Sequence, residues 1–412
     1  MKILYLTDDI PYPPDNGIRI VPFNAMRLMR DRGHEVRLCA LTVGVADDKA
    51  SFDARFSALS EIISADSWWM RIKKRHRYTQ IVDTLCGRLS YIEQYKSSSF
   101  ANRLLKTLDE FQPDVVHFDY INMTQYIDCL PSGAGSIASV NDSHTLALKN
   151  RLATGSFPGL QKYVKKIQLS LTRRYEVKVY EKFGYTHLMT EVDANFLRSM
   201  NSKIRTCVIP NGVDGELFSV ESGDQYNSSI IFVGKLIEYN LVSLKRFVVD
   251  GWPLVKRGAS RCTLKIFGEI TSEAQSWVDF IRTTEPDIKF MGYIPRLVDA
   301  YENSSISIVP IDKTTGIINK VIEAMAAGVA VVGFSSVFQG MSQAEEGVNY
   351  LGGASYAALG KGVKRLLDNS DERMSIARAG RSLAEKHYAW PAKGGEFEAM
   401  YLAAKQLALT YP

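Results

Sequence analysis

Short apolar runs alternate along the whole chain with longer segments in which apolar residues recur at helical spacing. That alternation predicts repeated βα units and parallel sheets, because a strand covered on both faces needs no polar positions while each covering helix needs one apolar stripe. In the first half the predicted strands are KILYL (2–6), VRLCAL (36–41), VVHF (115–118), SIASV (136–140) and THLM (186–189). A helix is predicted from near Val21, with Ile18, Val21, Ala25, Leu28 and Met29 on one face, Pro22 in its first turn and the glycine of RDRGHEV as its stop.

The pattern restarts after VIPNGVDGELF (208–218), where Pro210, Asn211 and Gly212 make a turn. Its predicted strands are SIIFVG (229–234), TLKIFG (263–268), IKFMG (288–292), ISIVP (306–310) and VAVVGF (329–334). Several end in glycine or proline, at the carboxyl edge where ligands bind in open parallel sheets because helix N-termini converge there. The expected fold class is therefore α/β, with two Rossmann-like parallel-sheet domains facing each other across a cleft.

Length agrees with two domains, since 412 residues exceed what one core usually organises. The composition, 46% hydrophobic and 23% charged, is that of an ordinary water-soluble protein. No stretch reaches the roughly eighteen consecutive apolar residues of a membrane helix, and the apolar start of MKILYLTDDI ends at Asp8 and Asp9, unlike a signal peptide. Five scattered cysteines suggest neither a disulfide framework nor a metal knuckle, so a cytoplasmic location is expected.

The net charge of +5 is mild, but two segments concentrate it. WWMRIKKRHRY (68–78) sets Lys and Arg beside aromatics, and KYVKKIQLSLTRRYEVKVYEK (162–182) is strongly basic. Solvated helix faces account for both; so does peripheral contact with an anionic membrane or an anionic acceptor. Nucleic acid is not expected as a partner, because the aromatics cluster instead of interleaving along a strip.

The stretch DKTTGIINKVIEAMAAG (312–328) carries the clearest chemistry. Its second part reads as a helix that buries Val321, Ile322, Ala324, Met325 and Ala326 and closes at AAG. Free amides at such a helix start face any phosphate nearby, and Lys320 adds a full charge. Glu323, a turn further in, can accept hydrogen bonds from both hydroxyls of a ribose. Lys320 and Glu323 could equally be a surface ion pair at i,i+3 spacing. In the same half FVGK places Gly234 and Lys235 at a strand's carboxyl end, where a diphosphate could be neutralised. In the first half PYPPDNGIRI ends in Asn16 and Gly17, a loop whose backbone can approach a ligand. Asp119 and His144 sit at strand ends on the same expected edge, where a carboxylate needs water or a partner. His117, inside a strand, reads as a core histidine, and SHT around His144 also fits a helix N-cap.

Together these pieces resemble the GT-B glycosyltransferases, and within them the large, mostly retaining, nucleotide-sugar-dependent family 4-like or group 1 enzymes. The resemblance runs from YPPDNG and RGHEV through PDVVHFD, VIPNGVD and FVGK to NKVIEAMAAGVAVV and HYAW. It implies a sugar transferase of bacterial polysaccharide or glycoconjugate assembly. The donor would be a nucleotide-diphosphate sugar and the acceptor a glycan, lipid-linked or small molecule, with no cofactor; no metal is expected either, since the sequence lacks a clustered acidic D-x-D with a helper. It implies an acceptor-binding domain over residues 1–205, completed by a helix over about 392–412, and a donor-binding domain over 206–391. By resemblance Glu323 holds the donor ribose and Lys235 stands where the family has an arginine on the diphosphate. Gly316 and Ile317 match the backbone that meets phosphate or sugar, Ile318, Asn319 and Lys320 continue the donor-binding run, Gly17 lies beneath the donor, and Tyr293 and Ile294 lie by the base. Three differences accompany it: Thr315 replaces a second glutamate, LIEYNL lacks a lysine expected after Lys235, and His117 is followed by Phe118 and Asp119 instead of a second histidine. A sugar-nucleotide epimerase, a phosphorylase or a degenerate partner subunit would keep the same nucleotide site. A dehydrogenase would need G-x-G-x-x-G after a strand, which neither half has.

Overall fold

The computed structural model describes residues 1–14, 17–44, 49–153, 159–221, 229–257, 262–312 and 318–410. The chain separates into two compact units, Met1–Pro210 with Lys393–Pro412, and Asn211–Ala392. Each has its own apolar core. Among the described residues no helix is long and apolar enough to cross a membrane.

The first unit is built on seven strands: β1 (Lys2–Thr7), β2 (Glu35–Val43), β3 (Trp68–Ile72), β4 (Val115–Asp119), β5 (Gly135–Asn141), β6 (Tyr185–Leu188) and β7 (Thr206–Val208). Their order is β3-β2-β1-β4-β5-β6-β7, every pair parallel. The second unit holds β8 (Ser229–Val233), β9 (Thr263–Phe267), β10 (Ile288–Gly292), β11 (Ile306–Val309), β12 (Ala330–Phe334) and β13 (Leu351–Gly353), in the order β10-β9-β8-β11-β12-β13. These pairs are parallel too. Both are doubly wound Rossmann-like sheets, with the reversal of strand order between β1 and β4 in one and between β8 and β11 in the other. A crevice opens at the carboxyl ends of those strand pairs because the helices that follow depart to opposite sides.

The strands are buried as the uninterrupted apolar runs require: β4, β5, β11 and β12 contain no exposed residue. Three strands carry no such run, namely β3, β7 and β13, and all three lie at sheet edges. β3 contains Trp68 and Trp69 of the basic aromatic segment. Trp68 is buried, its indole N–H donating to Thr107 Oγ1 at 2.9 Å. The first helix runs Gly17–Asp31, starting earlier than the apolar pattern suggests, so that Pro22 falls inside it instead of in its first turn. The crossing between units comes after Pro210 because β7 is still hydrogen-bonded to β6.

The last helix, Trp390–Thr410, buries Phe397, Met400, Tyr401 and Ala404, a stripe at helical spacing. Tyr401 reaches the centre of the first unit. Its hydroxyl lies 2.7 Å from that of Tyr5 on β1 and 2.8 Å from Nδ1 of His117 on β4. The Tyr5 ring stacks on His117 with centroids 4.6 Å apart. His117 is thus a packed core histidine, and burial lowers its pKa to about 3.

Candidate active site

In the second unit three glycines in a row close the carboxyl edge of the sheet, the first of them at the reversal point. Gly234, Gly268 and Gly292 close β8, β9 and β10, with the Gly234 N–H donating to the Phe267 carbonyl and the Gly268 N–H to the Gly292 carbonyl, both at 2.8 Å. Gly268 sits at φ +140°, and a Cβ there would meet the Gly234 carbonyl oxygen at 2.2 Å, so no other residue closes the edge this tightly.

A Cβ on Gly234 would meet Lys320 Nζ at 2.9 Å. The glycine therefore makes room for an ammonium that arrives from the helix Asn319–Ala326. Lys320 donates to Asn240 Oδ1 at 2.9 Å and stands 4.8 Å from the Phe232 ring centroid. Asn240 in turn donates through Nδ2 to the Lys235 carbonyl at 3.0 Å. Asn240 belongs to LIEYNL, the segment in which the resemblance leads one to expect a lysine; here a cation reaches that spot from another helix. Burial pulls the Lys320 pKa down to about 8, against the nearby Glu323 carboxylate, which holds it up.

Glu323 lies one turn beyond Lys320 and is partly exposed, not turned out into bulk water. Burial pushes its carboxyl up to about 7, offset in part by Lys320 and by the hydroxyl of the buried Tyr301. The pair is therefore an enclosed feature of the sheet edge and not a surface ion pair. Lys235 is half exposed, and its Nζ is 2.7 Å from Glu269 Oε2, so a carboxylate from the end of β9 occupies it. Tyr293 is exposed beside Gly292, while Ile294 packs against the core.

The helix start itself is set by two short motifs. Ile318 occupies the N-cap position without a side-chain bond. Asn319 does not end freely: its Oδ1 accepts from Asn211 Nδ2 at 2.7 Å, and Asn211 Oδ1 takes the Gly212 N–H at 3.2 Å. Gly212 lies against Trp390, whose ring a Cβ would meet at 2.3 Å, and the Val213 N–H donates to the Tyr388 carbonyl at 2.7 Å. PNGVD and HYAW are thus two halves of one support beneath the Asn319 helix. Asn16, Thr315, Gly316 and Ile317 lie outside the described residues.

The first unit presents carboxyls at its own reversal point. Asp9 is held by Arg19 (2.9 Å) and Arg55 (3.0 Å). Asp8 beside it has no cation among the described residues; its Oδ2 accepts from Asn122 Nδ2 at 2.7 Å, while Oδ1 has no hydrogen-bond partner among them. Burial, with the Asp119 carboxyl nearby, pushes Asp8 up to about 7. Asp119 ends β4 fully buried, with Oδ1 3.8 Å from His117 Nε2 and no hydrogen bond to it, and burial raises its pKa far above the carboxylate range. His144 opens the helix His144–Ala153, but the cap is Ser143, whose Oγ accepts from the Leu146 N–H at 3.2 Å. The His144 ring stands between Tyr91 and Tyr120, and burial lowers its pKa to about 4, opposed by the Asp142 backbone. Gly17 begins the first helix with open space where a Cβ would go.

Asp8, Asn122, Asn240 and Glu269 are site or support residues that sequence pattern did not single out, and Asn211, read only as a turn residue, supports the Asn319 helix. Of the first four only Asp8 carried a usable signal, being a carboxylate directly after the first predicted strand.

The second unit thus carries cations and a carboxyl at its sheet's carboxyl edge, and the first unit carries buried acids at its own. Two family descriptions match the chain: "Glycosyltransferase Family 4" over residues 16–217 and "Glycosyl transferases group 1" over residues 227–369. Solved structures resemble it over nearly its whole length. Anabaena HepE in complex with UDP is 13% identical, with 98% of this chain and 100% of that one covered and a TM-score of 0.66. Sucrose-phosphate synthase from Thermosynechococcus elongatus is 12% identical, with 98% of each chain covered and a TM-score of 0.69. A TarM variant from S. aureus, in complex with fondaparinux, alpha-GlcNAc-glycerol and UDP, is 11% identical, with 97% and 99% covered and a TM-score of 0.67. No curated protein sequence matches significantly. The chain belongs to the group 1 glycosyltransferases of GT-B fold. It is a glycosyltransferase enzyme.

Proposed function

We propose that the enzyme moves a sugar from a nucleoside diphosphate sugar to an acceptor hydroxyl, with retention of configuration and without a metal ion, in polysaccharide or glycoconjugate assembly in the cytoplasm. The observation that carries this reading is the Lys320 ammonium, held by Asn240 beside Gly234 and one turn from Glu323 at the reversal point of the second sheet. Lys320 and Lys235 neutralise the diphosphate as it departs, the first amides of the Asn319 helix donate to its oxygens, and Glu323 accepts from the ribose hydroxyls. The enclosed Lys320, with the more exposed Lys235 once it turns from Glu269 to the diphosphate, does the work that a divalent ion does elsewhere. The bond from the anomeric carbon to the diphosphate breaks while the acceptor oxygen bonds on the same face. The acceptor's proton passes to the departing phosphate oxygen.

The first unit handles the acceptor in this reading. Asp119 has a carboxyl oxygen without a hydrogen bond among the described residues that an acceptor hydroxyl can satisfy, and the neutral His144 imidazole can orient or deprotonate that hydroxyl. The nucleotide is supported by what similar proteins bind: HepE was solved with UDP-glucose, and TarM with UDP.

Thermal-shift titration with uridine, guanosine, cytidine, adenosine and deoxythymidine diphosphates tests the donor assignment, followed by incubation of the matching sugar nucleotide with and without candidate acceptors. Stabilisation by one diphosphate, lost in Lys320→Met and Glu323→Ala, is expected, with transfer surviving chelation and an α-linked donor giving an α-linked product by NMR. Equal stabilisation of both variants would show that the nucleotide binds elsewhere. Donor conversion without an acceptor product would point to an epimerase.

A further inference from the structure

We infer that the first unit carries a docking surface for an anionic phospholipid bilayer, formed by one face of the helix Arg77–Leu85 and the amino-terminal half of the helix Gly159–Tyr180. Tyr78, Val82 and Leu85 recur at one-turn spacing on the first helix and are 83%, 52% and 79% exposed. On the second, Tyr163, Val164 and Ile167 are 66%, 38% and 47% exposed. The two helices pack together. Leu171, a turn beyond Ile167, approaches Gly87, two residues beyond Leu85, so the two helices that carry these apolar side chains meet here. Scattered exposed apolar residues are ordinary, but six on adjoining helices are not.

Charge selects the partner. Lys73 and Lys74, just before the first helix, and Lys162, Lys166, Arg173 and Arg174, on the second, are exposed. No Asp or Glu occurs from Ser67 to Val82 or from Gly159 to Tyr175. The Lys166 ammonium lies over the Tyr163 ring, 5.8 Å from its centroid, so a cation sits directly against the aromatic part of this face. A basic rim around aliphatic and tyrosine side chains matches lipid phosphates above hydrocarbon. A polyanion such as nucleic acid would satisfy the lysines but leave Val82, Leu85 and Ile167 in water.

The tryptophans of the basic aromatic segment are not the anchors, since Trp68 is buried in β3. Arg75 is not part of the surface either, because it is paired at 2.8 Å with the buried Asp83.

Co-sedimentation of the full chain with phosphatidylglycerol-containing vesicles and with pure phosphatidylcholine vesicles tests the inference. Expected is pelleting with the anionic vesicles alone, reduced roughly tenfold in Lys162→Ala/Lys166→Ala. Leu85→Ser/Ile167→Ser, which leaves charge intact, should weaken pelleting comparably, with thermal midpoint and nucleoside diphosphate binding unchanged in both variants. Absence of pelleting overturns the inference. So does pelleting indifferent to Leu85→Ser/Ile167→Ser, which would mark a purely electrostatic site for a soluble polyanion.

Discussion

A single ammonium shows how little freedom the donor pocket leaves. Lys320 is enclosed by Gly234, the Phe232 ring and Asn240, which keeps it beside the sheet edge and lowers its pKa to about 8. Only the protonated form attracts a diphosphate, so affinity should fall as pH rises through about 8, and titration calorimetry between pH 7 and 9 measures it. Lys320→Met should weaken binding by about 1.5–3 kcal/mol at pH 7 and remove that pH dependence. The buried acid of the first unit works in the opposite sense. Asp8 keeps its proton up to about pH 7 in the folded protein but loses it near the ordinary carboxylate value when unfolded. The folded state therefore holds more protons in that window, and stability falls as pH rises through it. Asp8→Asn should gain stability over the parent as pH rises from about 4 to 7, by up to ~4 kcal/mol, and level off above. Urea unfolding at pH 5 and pH 8 checks this.

At the scale of elements, the helix Asn319–Ala326 owes its placement to contacts far away in sequence. Gly212→Ala would drive a methyl into the Trp390 ring, and a cost of about 1–3 kcal/mol is expected in the denaturation midpoint of the second unit. Central strands were legible because burial on both faces leaves an unbroken apolar run. The edge strands β3, β7 and β13 were not, since a half-covered strand needs only a few apolar positions and these are short. The same logic separates the site residues. Lys320, Lys235 and Glu323 stood out as charges within apolar or glycine-rich sequence. Asn240 and Glu269 did not, because what they do depends on β8, β9 and the Asn319 helix meeting at one edge, which no local pattern encodes. The early start of the first helix was hidden by Pro22, read as a first-turn residue.

At the scale of the molecule, two units with separate cores each place chemistry at the reversal of strand order. Their dependence on the chain's last helix is unequal. Removing residues 393–412 withdraws Phe397, Met400 and Tyr401 from the first unit and strips His117 and Tyr5 of a shared hydrogen-bonding partner. Calorimetry of the shortened chain should show the first unit's transition lost or greatly lowered, with the second unit's transition kept. Tyr401→Phe, which removes only the hydroxyl, should cost about 1–3 kcal/mol.

Tyr401 also fixes an order of events during synthesis. Domains generally fold as they emerge from the ribosome, amino terminus first. Here the earliest-made unit waits for a side chain translated after every strand of the later one, so the half that appears first is the half finished last.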